Sequence, residues 1–272
     1  LDEATDEILK FRLDDYKFLS SIKAVQNGYL TYCMQEIGGK IYLNRSSVLE
    51  KEKYELREID ERNGKQLGKF LKSDDYNHGW NFPLSLEHSN FYSKNSQSPK
   101  YIGLFSNLIM NVTADGVSAA YIVDSRKFVN KDEVLMMQRI AEGKLEKIDF
   151  SGIYSQKRIH QISRFIESSS KVFFQYLEGD ERNYLVYDKA SGKTKTSSLF
   201  MDDYVSDKNM IPMDFCYSDE QGVVALLKPC FMPHFIKYII DGGKMRTHLD
   251  NYSRLIKLNK DSNPVLFFHE YK

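Results

Sequence analysis

Three sets of side chains in this sequence have the types and spacing that chemistry uses. The first is a series of adjacent acids: Asp14-Asp15, Asp74-Asp75, Asp180-Glu181, Asp202-Asp203 and Asp219-Glu220. Two carboxylates held at a suitable separation act as acid and base, and several around one loop bind Ca²⁺. Neighbours along a strand point to opposite sides, so adjacency alone does not make a two-carboxylate site. None of the pairs has the spacing of a calcium loop, and capping of turn N–H groups is the plainer reading. Asp202 and Asp203 carry more weight because they fall between strand-rich units, where a loop reaches a rim. The second set is the six histidines at 78, 88, 160, 234, 248 and 269. None forms the His-x-x-x-His pair that holds zinc from one helix face, so no metal and no other cofactor is expected. The third set runs through Asp74, Tyr76, Asn77, His78 and Trp80 into Asn81 and Phe82. Trp80 is the single Trp and sits in a polar stretch beside Gly79. Aromatic faces combined with carboxylate and amide groups stack on a sugar or hold a peptide. The candidate ligand-binding residues are therefore Asp74, Tyr76, Asn77, His78, Trp80, Asp202 and Asp203. The competing reading is that Trp80 fills a gap between sheets and the polar residues form turns.

No catalytic residue is identified. Gly192-Lys193-Thr194 looks like the tail of a phosphate loop, but the glycine required five positions earlier is Tyr187, and a hairpin rather than a helix should follow. No Ser lies in a Gly-x-Ser-x-Gly elbow, and none of the three Cys is marked as a nucleophile. Cys216 and Cys230 read as two small buried residues, with pairing across a short loop as the alternative. Asn44, Asn111 and Asn251 head Asn-x-Ser/Thr glycosylation signals that matter only in a eukaryotic secretory path.

The elements that must position these groups are mostly strands. Apolar residues recur with period two through Phe18–Val25, Gly28–Met34, Lys40–Asn44, Tyr54–Asp60 and Gln66–Leu71. The same holds for Leu84–Leu86, Tyr101–Phe105, Leu108–Val112 and Val117–Val123, and for Ile159–Glu167, Lys171–Leu177, Tyr184–Asp188 and Thr194–Leu199. Two more strands flank Gly222, and Pro264–Phe268 closes the chain. Residues 72–83 read as a connecting loop. Helix is expected only around Asp132–Ile140 and Arg246–Leu258. Asn-Gly and Asp-Gly pairs at 27–28, 63–64 and 115–116 mark hairpin turns. Short strands with turns every 8 to 12 residues belong to sandwiches, barrels and propellers.

A repeat narrows the choice. Tyr54 to Leu71 and Tyr184 to Leu199 both read strand, Asp, polar turn, Gly-Lys, strand, and weaker relatives lie at Leu108–Asp124 and Tyr238–Lys244. Units of this size with four strands fit propeller blades, whose flat faces must be covered by the next blade. That need explains 18 Tyr and 17 Phe in a chain of zero net charge. The expectation is an all-β chain, a β-propeller of four-stranded antiparallel blades with about four or five blades present, as a single domain over 1–272.

The stretches Tyr101–Asp124, Asn183–Lys193, Leu199–Asp203 and Asp261–Phe268 resemble the six-bladed β-propeller proteins of Bacteroides and related gut bacteria. The likeness covers most of 54–272 and is weak over 1–53. The resemblance implies a secreted or lipid-anchored protein of the periplasm or cell surface. It makes a glycan or a cell-surface protein the expected partner. Zero net charge argues against nucleic acid, and no apolar run is long enough to cross a membrane. Binding scaffold is the preferred function. The alternatives are a glycan hydrolase or lyase working through rim carboxylates, and a purely structural protein–protein module.

Overall fold

The computed structural model describes residues 7–23, 30–46, 53–80, 91–92, 98–143, 151–198, 205, 214–218, 222–247 and 249–270. Two compact units emerge: Leu1–Ser163 with Tyr176–Glu181, and Arg164–Gln175 with Arg182–Lys272.

In the first unit, β1 (Glu7–Phe11) and β2 (Phe18–Lys23) form a two-stranded antiparallel sheet. Next come β3 (Leu30–Ile37), β4 (Lys40–Ser46), β5 (Tyr54–Asp60) and β6 (Gln66–Lys72), which pair in sequence order as an antiparallel meander. A one-turn helix α1 (Ser73–Tyr76) follows. A second meander consists of β7 (Phe91–Tyr92), β8 (Lys100–Tyr101), β9 (Leu108–Thr113) and β10 (Gly116–Ile122). Helix α2 (Lys131–Gly143) and the short α3 (Ser151–Ser155) lead to a third four-stranded sheet, most of whose residues belong to the second unit. Its strands are β11 (Ile159–Glu167), β12 (Lys171–Glu178), β13 (Glu181–Asp188) and β14 (Lys193–Ser197), again in sequence order. In the second unit, β15 (Asp214–Ser218), β16 (Gly222–Leu227) and β17 (Val265–Glu270) form a three-stranded antiparallel sheet with β16 central. Between β16 and β17 run Pro229–Phe231, α4 (Met232–Phe235), a π-turn over Ile236–Ile240, and α5 (Tyr252–Leu255).

This is the expected all-β architecture of four-stranded antiparallel units. The hairpin repeat also holds in atomic detail. In the β5–β6 hairpin, Gly64 N–H donates to the Asp60 carbonyl at 2.9 Å, and in β13–β14, Gly192 N–H donates to the Asp188 carbonyl at the same 2.9 Å. Both glycines have left-handed φ, +71° and +67°. Each Asp side chain also holds its turn: Asp60 Oδ1 accepts from Arg62 N–H at 2.7 Å, and Asp188 Oδ1 from Ser191 N–H at 2.8 Å. These hairpins, and the Asp115-Gly116 turn, join the third and fourth strands of their sheets. The relative at Tyr238–Lys244 does not belong to the series. Pro229 and Pro233 favour the first turn of a helix over a strand ladder, and Tyr238 lies in a helical run. Cys230 lies in the same run and is exposed with a free thiol, so the reading as a buried residue fails. Helix α2 begins on a reciprocal cap: Asn130 Oδ1 accepts from Glu133 N–H at 3.0 Å and Glu133 Oε2 from Asn130 N–H at 2.7 Å. The expected strand at 84–86 and the 27–28 turn lie outside the described residues.

Period-two alternation dictates the packing of the first unit. Ile41, Leu43 and Ile59 leave one face of the β3–β6 sheet and bury against Ile8 and Ile22 of the β1–β2 hairpin. Tyr42 and Leu56 leave the opposite face and meet Phe91, Tyr101, Met110 and Val112 of the β7–β10 sheet. In the second unit Ala225, Leu227 and Phe267 pack under Met232, Phe235 and Ile239 of the helical run.

Gly64 serves both demands, because a Cβ there would lie 2.4 Å from the Lys23 carbonyl oxygen and 2.8 Å from Ile22 Cγ2. Gly192 shares the backbone conformation but has open space around it. Gly192→Ala should cost about 1 kcal/mol, the left-handed penalty alone. Gly64→Ala should cost roughly 2–4 kcal/mol, since overpacking adds to that penalty. Denaturant midpoints of the two variants check this; equal losses would show that the Ile22–Lys23 contact does not constrain the turn.

Candidate functional site

The polar-aromatic run after β6 forms a tightly tied turn rather than a loose loop. Ser73 N–H donates to the Lys53 carbonyl at 2.8 Å. The Ser73 carbonyl accepts from Asn77 N–H at 3.0 Å and Gly79 N–H at 2.7 Å, and the Asn77 carbonyl accepts from Trp80 N–H at 3.2 Å. His78 and Gly79 are both left-handed, with φ of 63° and 84°. The turn divides the candidate residues. Asp74 and its neighbour Asp75 are exposed and His78 is half-buried. Tyr76, Asn77 and Trp80 point inward. Trp80 is 2% exposed and packs edge-on against Phe105 with centroids 5.0 Å apart, among Val129, Val134, Met137 and Ile153. The Tyr76 hydroxyl accepts from Gly103 N–H at 2.9 Å and lies 3.3 Å from the Leu108 carbonyl, to which it donates. A Cβ at Gly103 would lie 2.6 Å from the Tyr76 ring, which is why that position is glycine. Burial lowers the His78 pKa, with Lys131 adding repulsion of the charged form, so the imidazole favours its neutral state. Asp202 and Asp203, with Asn81 and Phe82, lie outside the described residues.

Beneath the turn is a polar cluster that no spacing announced. Glu55 on β5 is a part-buried residue whose carboxyl group is held by side chains of β4, β8 and the turn after α1. Its Oε1 accepts from Asn77 Nδ2 at 2.8 Å, and its Oε2 accepts from the Tyr101 hydroxyl at 2.9 Å and from Asn44 Nδ2 at 3.3 Å. Asn44 Nδ2 also donates to the Tyr101 oxygen. Asn77 is 1% exposed, and its Oδ1 has no hydrogen-bond partner. No ion pair reaches the Glu55 carboxylate among the described residues. Burial penalises its charged form more than the three donors stabilise it, so its pKa rises from an ordinary 4.5 to about 7. A second tie between the same sheets has a cation. Lys40 Nζ sits 2.5 Å from Glu58 Oε1 and donates to the Ala114 carbonyl at 2.7 Å, while the Tyr42 hydroxyl donates to the Thr113 carbonyl at 2.8 Å.

Sequence reasoning passed over Glu55 and Tyr101, and noticed Asn44 only as a glycosylation signal. The cluster gathers residues 11, 22 and 46 positions from Glu55, so no local spacing marks it. Among the described residues no group of three or more His, Cys, Asp or Glu could hold a metal ion, and no helix is long and apolar enough to cross a membrane.

A family model described as a 6-bladed beta-propeller matches residues 1–225. The crystal structure of a "putative exported protein" from Bacteroides fragilis NCTC 9343 superposes with a TM-score of 0.71 at 15% identity, covering 100% of this chain and 73% of that one. At that identity the likeness shows the fold. Among curated proteins, none matches the chain.

The raised Glu55 pKa sets a pH dependence of stability. Between pH 4.5 and about 7 the unfolded chain has released this proton and the folded chain still holds it. Folding therefore loses stability as pH rises through that window, by about 3 kcal/mol in total, and is flat above it. The histidines 78 and 160, whose pKa values burial lowers, act in the opposite direction. The difference between wild type and Glu55→Gln isolates the carboxyl. Urea denaturation at pH 5 and pH 8 should show wild type losing about 2–3 kcal/mol relative to the variant. A difference that does not change with pH would overturn the assignment.

Proposed function

The chain belongs to the six-bladed β-propeller family, and from that premise we propose that it is an extracytoplasmic recognition scaffold that binds a glycan or a cell-surface protein. The observation that carries this reading is the 73–80 turn. Two N–H groups share the Ser73 carbonyl, Tyr76 and Trp80 are sunk in the core, Asp74 is left exposed and His78 half-buried. A turn held this way has already lost its conformational entropy, so a ligand does not have to order it. A carboxylate, a neutral imidazole and a second carboxylate from Asp75 are suited to accept and donate hydrogen bonds to sugar hydroxyls. The likeness to a Bacteroides protein described as exported supports a location in the periplasm or at the cell surface, with a lipid anchor in the precursor as the finer form of that proposal.

A second reading, a protein–protein module, draws on the β1–β2 hairpin. Leu13 is 87% and Tyr16 78% exposed, beside the exposed edge-to-face pair Phe11–Phe18. Clustered exposed apolar side chains mark interaction surfaces.

A glycan array separates the two. The recognition reading expects binding to a restricted set of glycans, lost at least tenfold in Asp74→Ala and His78→Ala without change in the circular dichroism spectrum. A blank array with intact folding, together with capture of an envelope protein that Leu13→Ser/Tyr16→Ser abolishes, would transfer the function to the hairpin.

A further inference from the structure

The cluster at Glu55 has an odd feature for a purely structural network. Each of the three side chains that touch the carboxylate donates to it, and Asn77 Oδ1 is buried with nothing to accept from. A carboxamide presents nearly isosteric ends, a two-lone-pair oxygen and an NH₂. Turning it over needs only a rotation about its own axis. A protonated carboxyl, in contrast to a carboxylate, has a proton to give and must find an acceptor. The Tyr101 oxygen already receives Asn44 Nδ2. An unused acceptor, Asn77 Oδ1, lies on the carboxamide whose other end touches Glu55 Oε1 at 2.8 Å.

We propose that Glu55 and Asn77 form a proton-operated switch, in which the ionised carboxylate accepts from Asn77 Nδ2 and the protonated carboxyl donates to Asn77 Oδ1 after the carboxamide turns over. The proton comes from solvent and goes to Glu55 Oε1; no covalent bond changes. The groups facing Glu55 are Asn44 from β4, Tyr101 from β8 and Asn77 from the end of α1, with the Tyr76 phenol close enough to feel its charge. The buried cations of β5 and β8 are turned to other partners: Arg57 Nη1 donates to Gln66 Oε1 at 3.0 Å, and Lys100 Nζ to the Ser98 carbonyl at 3.0 Å. The charge on Glu55 is therefore answered by neutral donors, and its loss is not opposed by a broken ion pair. Titration near neutral pH, at about 7, fits this balance. Asn77 is also a backbone member of the tied turn, donating to the Ser73 carbonyl and accepting from Trp80 N–H. The switch thus sits at the base of the turn that bears Asp74 and His78.

The test follows the Asn77 side-chain NH₂ resonances by ¹H–¹⁵N NMR of the 272-residue chain between pH 5 and 9, assigned by their loss in Asn77→Ser. A titration with its midpoint near 7, absent from Glu55→Gln, is expected. Resonances that stay still in wild type, or that move equally in Glu55→Gln, overturn the proposal. Should Glu55→Gln fail to fold, Tyr101→Phe takes its place. Removing a donor to the carboxylate should raise the Asn77 midpoint by roughly one unit. An unshifted midpoint in that variant overturns the proposal as well.

Discussion

A strand pair that alternates apolar side chains to both sides leaves a sheet with two faces to cover, and that constraint governs the first unit. On β4, Ile41 and Leu43 leave one face and Tyr42 the other, and all three are buried. One face is closed by the β1–β2 hairpin and the other by the β7–β10 sheet. Aromatic rings from both sheets gather on the second face: Tyr42 lies beside Phe70 of its own sheet at 6.1 Å, Tyr101 beside Phe91 of its own sheet at 5.2 Å, and Tyr76 of α1 meets Tyr101 at 6.2 Å, all in one buried cluster. Rings of that size span the roughly 10 Å between stacked sheets without long flexible side chains. The high aromatic content of the sequence is a consequence of this arrangement.

Covering a face from both sides also traps whatever polar groups the strands carry. β5 is the clearest case, because Arg57 and Glu58 are buried alongside Leu56 and Ile59. A buried polar group must find partners or cost stability. Glu58 finds Lys40, Arg57 finds Gln66, and Glu55 finds three neutral donors. The ties at Glu58 and Glu55 each join one sheet to the next, through the Ala114 carbonyl and through Tyr101. Apolar packing supplies the attraction between the sheets and these directional contacts supply the register, since a one-residue slip would leave every one of them unpaired.

What could be read from the sequence follows the same division. The hairpins were legible because their signals are local: Asp, a polar turn and Gly within five residues impose the same hydrogen bonds at Asp60–Gly64 and Asp188–Gly192. Strand periodicity was legible wherever a face is buried, as in β4, β9 and β11. Strand β1 was passed over because Glu7–Phe11 buries only Ile8 fully, which is too little alternation to see. The helical run after β16 was partly hidden because Tyr238–Lys244 copies the residue types of a hairpin, and two prolines upstream decide otherwise. The candidate site divided for a different reason. That 73–80 holds unusual residues was plain in the sequence. Which of them face inward depends on Phe105 and Gly103, which come from elsewhere in the chain. The Glu55 cluster was illegible outright, because its members become neighbours only when two sheets stack.

A carboxyl held by neutral donors is a costly way to hold two sheets together. A glutamine at Glu55 would offer an oxygen to the same donors and carry no charge to desolvate. An apolar pair of similar volume would avoid the polar problem altogether. What neither replacement supplies is a group that accepts hydrogen bonds in one protonation state and gives one in the other. The Lys40–Glu58 tie shows that the same two sheets can be joined by a charge with a partner. The absence of such a partner at Glu55 among the described residues is therefore a property of that place and not of the interface. It lies where the sheet contact meets the turn that carries the exposed Asp74 and the half-buried His78, so a rearrangement at Asn77 is only a few residues from polar side chains that solvent reaches.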